Sequence, residues 1–404
     1  MNNTQSVFMQ KPQFIYVALR DFIYYFWLLN NFLANIFIRP LKYFEARRLK
    51  EEIKKGTIKK VLVNRSDQIG DAVVSLKFIN ALANTFEEVC VVVSKKNRFV
   101  FEHEKKIKII EEKEKALHEY KTIFDKFFFF TINFFPLLFQ KQEPKYDLVI
   151  DLISDVSIKR RYPARYIIGA NRGVFSLLYT NFYKTSLSLA NKQLMEAYKE
   201  MIKDCLGLEL NIADGPPPDF SQKKEEQIFI FVGNKAERNL SYEKWREIIL
   251  ELAKIKRCVV ADDPEQKIME KLKEDYEIRN NKQIQLIEGP RKLSELAEFS
   301  NKSKLFIGLD GGGEHYLEQY TNALIIYTCG LPSEWKPYSL NPYNKFVLKN
   351  EHIVEKTITS TGLKKYIFYR VDNRKPCYDL LCNYKKFKEI DVYLIADIVR
   401  EFFS

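Results

Sequence analysis

The chain has 404 residues, 46% hydrophobic and 29% charged, which excludes a disordered protein and leaves room for two domains. Lys and Arg outnumber Asp and Glu by 65 to 53, a net charge of +12 that suits a phosphate-bearing partner: nucleic acid, a nucleotide sugar or an anionic membrane. Six scattered cysteines (Cys90, Cys205, Cys258, Cys329, Cys377 and Cys382) read as reduced cytosolic thiols, and Cys377 with Cys382 as a loop pair rather than a metal clip.

Near the start, Phe14 to Ile38 is largely apolar and rich in Phe, Tyr and Trp. It is too long and too interrupted by polar residues for a cleavable signal. Arg20, Asp21, Asn31 and Asn35 share about one third of a helical wheel, with Tyr24 beside them. That polar stripe, followed by Arg39, Lys42, Arg47, Arg48 and Lys50, predicts a helix lying at a membrane interface. A core or oligomer helix and a membrane span are the alternatives. Residues 42–56 read as a charged helix.

Lys60 to Leu82, KVLVNRSDQIGDAVVSLKFINAL, then gives a buried strand, a polar loop, a Gly-Asp pair and an amphipathic helix. Such a unit aims helix N–H groups at the carboxyl end of its strand, where ligands bind in open α/β sheets. Asp71 there is either a first-turn acid or a functional carboxylate. A second strand follows at Val89 to Val93, and then a charged, exposed stretch over 104–117. Phe124 to Phe139 is an aromatic block, read either as buried structure or as an apolar flap. Tyr146 to Leu152 is a parallel-type strand ending near Asp151, and Lys159, Arg160, Arg161 and Arg165 form a basic run. The three prolines after Ala213-Asp-Gly mark a linker. Beyond it strands alternate with helices: IFIFVG, a helix from Ser241 to Ala253, CVVAD, a helix from Pro264, QIQLIEG, a helix from Leu293, LFIGLD and ALIIYTCG. Within LFIGLD-GGGEH, a strand delivers Asp310 to Gly311, Gly312 and Gly313, whose backbone can approach a diphosphate closely; a plain tight turn is the bland reading. A last helix, Asp391 to Phe402, is expected to pack back across the domain junction.

RSDQIGDAVVSLK resembles the opening signature of the ADP-heptose:lipopolysaccharide heptosyltransferases, glycosyltransferase family nine. The likeness continues through YDLVID, the YIIGANRG segment, Asp310-Gly-Gly-Gly-Glu-His315, and Trp335, Pro337 and Tyr338, covering about residues 58–402. The fold implied is α/β of the GT-B type, two Rossmann-like domains facing across a cleft, here with an N-terminal amphipathic helix. Its divisions are 1–56 for the membrane-interface segment, 57–212 for the acceptor domain, 213–225 for the linker, 226–390 for the donor domain and 391–404 for the C-terminal helix.

The resemblance implies an inverting transfer of heptose from ADP-heptose, or a similar nucleotide sugar, to a lipid-linked anionic acceptor of the Kdo-lipid A type. Asp71 would be the general base, with Ser66, Gln68 and Gly70 in the loop near the donor. Arg238 falls at the position of the family's phosphate-neutralising lysine, with Lys235 and Asn234 beside it. Asp310, Gly311, Gly312, Gly313 and His315 would meet the diphosphate, and Glu265 the ribose. Gly311 replaces the family's Thr or Ser, so a hydroxyl contact is lost. Arg161, Arg165 and Arg172 are the expected acceptor contacts. No metal, no tightly bound cofactor and no nucleic-acid partner is expected, and the protein is placed in the cytoplasm, peripheral on the inner face of the membrane. The rival readings are a same-fold transferase using another nucleotide sugar or a protein acceptor, and a non-catalytic membrane or nucleic-acid-binding protein.

Overall fold

A computed structural model describes residues 22, 25–112, 143–155, 157–187, 192–214, 223–234, 238–262, 268–289, 291–328, 332–370 and 389–404. The aromatic block at 124–139, Lys235, Glu265, and Cys329, Cys377 and Cys382 lie outside these residues. The chain divides into two compact units, Met1–Ile212 and Ala213–Ser404.

The first unit is built on six parallel strands: β1 (Lys60–Asn64), β2 (Glu88–Val93), β3 (Ile107–Glu111), β4 (Tyr146–Asp151), β5 (Ala164–Ala170) and β6 (Asn181–Tyr183). Their order is β3-β2-β1-β4-β5-β6. Val61, Leu62 and Val63 of β1 and Leu148, Val149 and Ile150 of β4 are fully buried, as expected of strands covered on both faces. The order reverses between β1 and β4, so the loops leaving Asn64 and Asp151 diverge and open a crevice at the carboxyl edge. The helix Ile69–Ala83 follows β1 and packs on Leu194–Leu206, with the Phe78 and Tyr198 rings 5.0 Å apart.

One stretch differs from its sequence reading. The charged segment 104–117 was expected to be exposed, yet it contains β3, with Ile107 buried. As the edge strand it needs only Ile107 buried, which is why Lys108 and Glu111 are tolerated there.

The N-terminal helix also differs. It runs over 25–33, widens into a π-helical turn at Ala34–Ile38, and continues through Arg39–Leu41 and Tyr43–Lys54. Pro40 lacks the N–H that Ile36 O needs and its ring crowds that carbonyl, which accounts for the widened turn. Asn31 and Asn35, the members of the polar stripe among the described residues, point into the unit rather than outward. Asn35 donates to Lys184 O at 2.7 Å, and Asn171 donates to Asn31 O at 3.0 Å and to Lys184 O at 3.2 Å. These bonds tie the helix to the Lys184 carbonyl just past the end of β6 and to the Asn171 amide. Gly173 receives the same helix: its φ is +60°, and a Cβ there would lie 2.0 Å from Asn30 Nδ2.

The second unit has eight strands: β7 (Glu225–Phe231), β8 (Arg257–Ala261), β9 (Ile284–Leu286), β10 (Ser303–Leu309), β11 (Asn322–Tyr327), β12 (Asn344–Val347), β13 (His352–Ile358) and β14 (Lys364–Arg370). Their order is β12-β13-β14-β11-β10-β7-β8-β9. The six from β14 to β9 are parallel and repeat the topology of the first sheet, with the reversal between β7 and β10. β13 and β12 add an antiparallel edge. Asp214 fastens the start of this unit by accepting from Leu340 N at 2.7 Å and Ser360 N at 3.1 Å. The last helix, Val392–Phe403, is capped by Asp391, and its Ile395, Val399 and Phe402 join the core of the second unit with Trp245, Ile248 and Leu252.

Asp151 holds the turn after β4. Its carboxylate accepts from Asn64 Nδ2 (3.3 Å), Tyr179 Oη (2.9 Å) and the backbone N–H groups of Ile153, Ser154 and Asp155. Burial outweighs these donors and the nearby Arg172, and raises its pKa to about 6.

Two predictions follow from this unit. Folding raises the Asp151 pKa, so between about pH 4 and 6 the folded chain holds a proton that the unfolded chain releases. The stability this group contributes therefore declines as pH rises through that window; in urea titrations, Asp151→Asn should show a smaller decline from pH 4 to 6 than the parent chain. Gly173→Ala should cost roughly 1–3 kcal/mol, since it adds both a left-handed strain and a clash, and should loosen the N-terminal helix first. Hydrogen exchange of residues 25–38 would read that loosening.

Candidate functional site

In the first unit the polar loop after β1 is rigidly tied. Arg65 N–H donates to Val92 O at 3.0 Å, and Asn97 Nδ2 donates to Arg65 O at 2.9 Å and Asp67 O at 3.1 Å. The Arg65 guanidinium is buried, donating from Nε to Asp67 Oδ1 at 2.7 Å, from Nη2 to Asp67 Oδ2, and from Nη1 to Tyr198 Oη at 2.7 Å. Burial pulls its pKa down, but the charges of Asp67, Tyr198 and Asp71 more than reverse this and leave it raised. Arg65 was not among the residues singled out from sequence; only its place in the loop between β1 and Asp71 hinted at it.

Asp71 is a half-buried acid in the first turn of Ile69–Ala83, within electrostatic reach of Arg65. The helix N-terminus favours negative charge at that place. Gln68 is the exposed N-cap residue and Gly70 the second residue of the helix. Ser66 is buried, its hydroxyl donating to Asn64 Oδ1 at 3.3 Å. Of the three arginines expected to meet an anionic acceptor, Arg161 is buried between Glu112 and Asp155, with its charge already matched. Arg172 donates to Ile153 O at 3.1 Å. Arg165 is the most open, its side chain 40% exposed and paired with Glu52.

The second unit assembles its candidate residues at the carboxyl ends of β7 and β10. The loop after β7 is locked by a buried relay: Trp245 Nε1 donates to Asn239 Oδ1 at 2.9 Å, and Asn239 Nδ2 donates to Val232 O at 2.9 Å. Thr328 Oγ1 adds a bond to Arg238 O at 2.7 Å. Ser241 then caps the helix Tyr242–Ala253. From β10, Asp310 emerges buried, its N–H bonded to Ile326 O at 3.1 Å. Asn234 crosses to it, donating to Asp310 O at 2.9 Å. A Cβ on Gly311 would lie 3.0 Å from Asn234 Oδ1, so the glycine leaves the room that this amide occupies. Gly312 and Gly313 begin the short helix Gly312–Leu317, which carries His315; the His315 ring lies 6.0 Å from that of Trp335.

The electrostatics of this cluster are coupled. Burial raises the Asp310 pKa, opposed by the charges of His315 and Arg238. Burial lowers that of His315 against the pull of Asp310 and Glu318, so the imidazole is neutral at pH 7. Glu314, with Oε2 3.2 Å from His315 Nδ1, is held well above the usual carboxylate range by burial and by the acids Glu318 and Asp310. Among the described residues, Asp310, Glu314 and His315 are the group able to hold a metal ion, their ligand atoms lying within 4.8 Å of one another.

No family model and no curated protein sequence matches the chain. Among solved structures it is similar to E. coli heptosyltransferase WaaC with ADP, at 14% identity and a TM-score of 0.57, over 85% of this chain and 99% of that one. E. coli ADP-heptose lps heptosyltransferase II follows at 12% identity and 0.55, covering 85% and 98%. A glycosyl transferase family 9 protein from Veillonella parvula gives 16% identity and 0.51, covering 71% and 88%. At such identities the likeness is one of fold: two Rossmann-like units in sequence, as in the GT-B heptosyltransferases.

Proposed function

We propose that the chain is an inverting glycosyltransferase of glycosyltransferase family nine, using a nucleotide-sugar donor, ADP-heptose or a close relative. The observation that carries this is the convergence of Asn234, Arg238, Asp310 and His315 at the strand reversal of the second sheet. In α/β sheets that is where nucleotides bind. The family's paired acid and histidine stand there at family spacing.

In this reading the leaving group is a nucleoside diphosphate, and the residues of the second unit stabilise the charge that builds on it. Arg238 supplies a fixed cation able to bind two phosphate oxygens at once. Lys235 adds a second charge and Glu265 meets the ribose. The N–H groups of Gly311, Gly312 and Gly313 donate to the diphosphate at close range, where no Cβ intervenes. Asn234 provides the polar side chain where the family's Thr or Ser has its hydroxyl. Neutral His315 bonds to the phosphate without adding charge. Asp71 removes the proton from the acceptor hydroxyl, and Arg65 helps to fix the loop from which it acts. Ser66, Gln68 and Gly70 shape that loop. A single displacement at the anomeric carbon inverts its configuration and needs no covalent nucleophile.

The acceptor in this proposal is a lipid-linked anionic core sugar at the cytoplasmic face of the membrane, with Arg165 as its most open cationic contact. The likeness to heptosyltransferase structures, one of them with ADP, supports a sugar nucleotide over nucleic acid.

Three outcomes test the reading. ADP and ADP-sugars should raise the melting temperature of the whole chain and single-stranded RNA should not; protection by RNA alone rejects the transferase. Arg238→Gln should weaken ADP binding by roughly tenfold or more, measured by calorimetry. Asp71→Asn should lower kcat by at least about two orders of magnitude while leaving the ADP dissociation constant within roughly twofold, because it removes a base and not a phosphate contact.

A further inference from the structure

The N-terminal helix is turned the wrong way round for a protein surface. Its Asn30, Asn31, Ala34, Asn35 and Ile38 face the first unit, with Trp27 half-buried beside them. Its outer face carries large apolar side chains in water, Phe26 at 54% exposure, Phe32 at 60%, Phe37 at 63% and Leu41 at 74% among them. Single exposed apolar residues are ordinary, whereas a continuous stripe along one helix marks a surface that something covers.

The identity of the cover follows from what surrounds it. Between positions 39 and 55 the chain has seven basic residues against three acidic ones. Lys42, at the foot of the stripe, lies close enough to Lys159 of the helix Ile158–Arg161 to depress its pKa together with burial. Facing this lysine pair from its own helix is Glu45, which pairs with Lys42 and works in the opposite direction. Arg39, Arg47 and Arg48 pair with Asp204, Glu51 and Glu52, yet the segment at the C-terminal end of the stripe keeps a net positive charge, which disfavours a second copy of itself and attracts an anionic lipid surface. Tyr25, Tyr43 and Phe44 supply the aromatic side chains that settle at the headgroup level. Among the described residues no helix is long and apolar enough to cross a membrane.

We propose that residues 25–44 form an inverted amphipathic helix that docks the first unit flat on an anionic bilayer, its apolar stripe immersed among the acyl chains and its asparagines holding the protein. The helix precedes the region that resembles the glycosyltransferases, so the docking device is an addition to that fold. The inference rests on the proposed function only for the presence of a lipid surface.

The test uses the full chain and vesicles of phosphatidylglycerol and phosphatidylcholine that contain no sugar acceptor, with ADP protection in thermal shift read on the same samples. The parent chain should co-sediment with anionic vesicles and far less with pure phosphatidylcholine. Phe32→Ser combined with Phe37→Ser should weaken partitioning by roughly a hundredfold with an unchanged melting curve, since both side chains are already in water in the free protein. Lys42→Glu should weaken it several-fold at low salt and little at high salt. Loss of docking with ADP protection intact is the expected pattern. The proposal fails if the parent chain ignores anionic vesicles, if the double variant partitions like the parent, or if the parent is a dimer that the double variant dissolves while vesicles bind neither.

Discussion

Parallel pairing constrains everything else in this molecule. When every central strand runs the same way, all strand carboxyl ends and all following helix N-termini share one edge of the sheet. The centres of the middle strands, Val61–Val63, Leu148–Ile150, Ile228–Phe231 and Leu305–Leu309, are buried on both faces and carry no polar side chain. Polar residues can enter only where the strand ends, and there they have work to do. Asn64 and Asp151 occupy the last positions of β1 and β4, and Asp310 follows the last position of β10. Each is buried: Asp151 accepts from Asn64 Nδ2 and from N–H groups of the loop after β4, Asn64 Oδ1 accepts from the Ser66 hydroxyl, and Asp310 O accepts from Asn234 Nδ2. The same geometry that forbids polarity in the strands concentrates it at the two strand reversals.

The legible parts of the sequence were those governed by this constraint. Runs such as Val61 to Val63, Ile228 to Val232 and Leu305 to Leu309 are apolar without alternation, and nothing but a doubly covered strand explains them at that length. Edge elements were harder, because an edge strand meets water and looks like a loop. β3 carries lysine and glutamate, β6 has three residues, and β12 is exposed throughout. In the candidate site, Asp310 and His315 were visible because glycines flank them at a strand end. The Trp245–Asn239 relay that sets the Arg238 loop was not, since neither residue type announces a tertiary hydrogen bond. Charge alone was equally mute about partners: the basic run at 159–165 gives no sign that Arg161 lies buried between Glu112 and Asp155.

Departures from the family pattern are paired in the structure. Gly311 removes a side chain from the turn after β10, and Asn234 reaches from the neighbouring strand end to bond with Asp310 O in the space left. A Cβ at position 311 and the Asn234 amide would compete for one volume, so the two residues form a single arrangement rather than two independent losses. Glu314 fits the same logic. Burial beside Asp310 and Glu318 favours its protonated form, which adds no negative charge to a place proposed for phosphates.

The N-terminal helix obeys a different balance from the long helices of the two cores. Leu194–Leu206 and Tyr242–Ala253 are held by apolar side chains packed inward, and the hydrophobic effect fixes their orientation. The first helix keeps most of its apolar area outside, so burial against the protein supplies little of what holds it. Its seat consists of asparagine amides, a few small contacts at Ala34 and Ile38, and the hollow over Gly173. Each such hydrogen bond has a net worth of about 1 kcal/mol, which orients a helix but scarcely fixes thirty residues against their lost entropy. The orientation is set by the asparagines, and the remaining driving force lies on the outer face, in whatever apolar phase receives it.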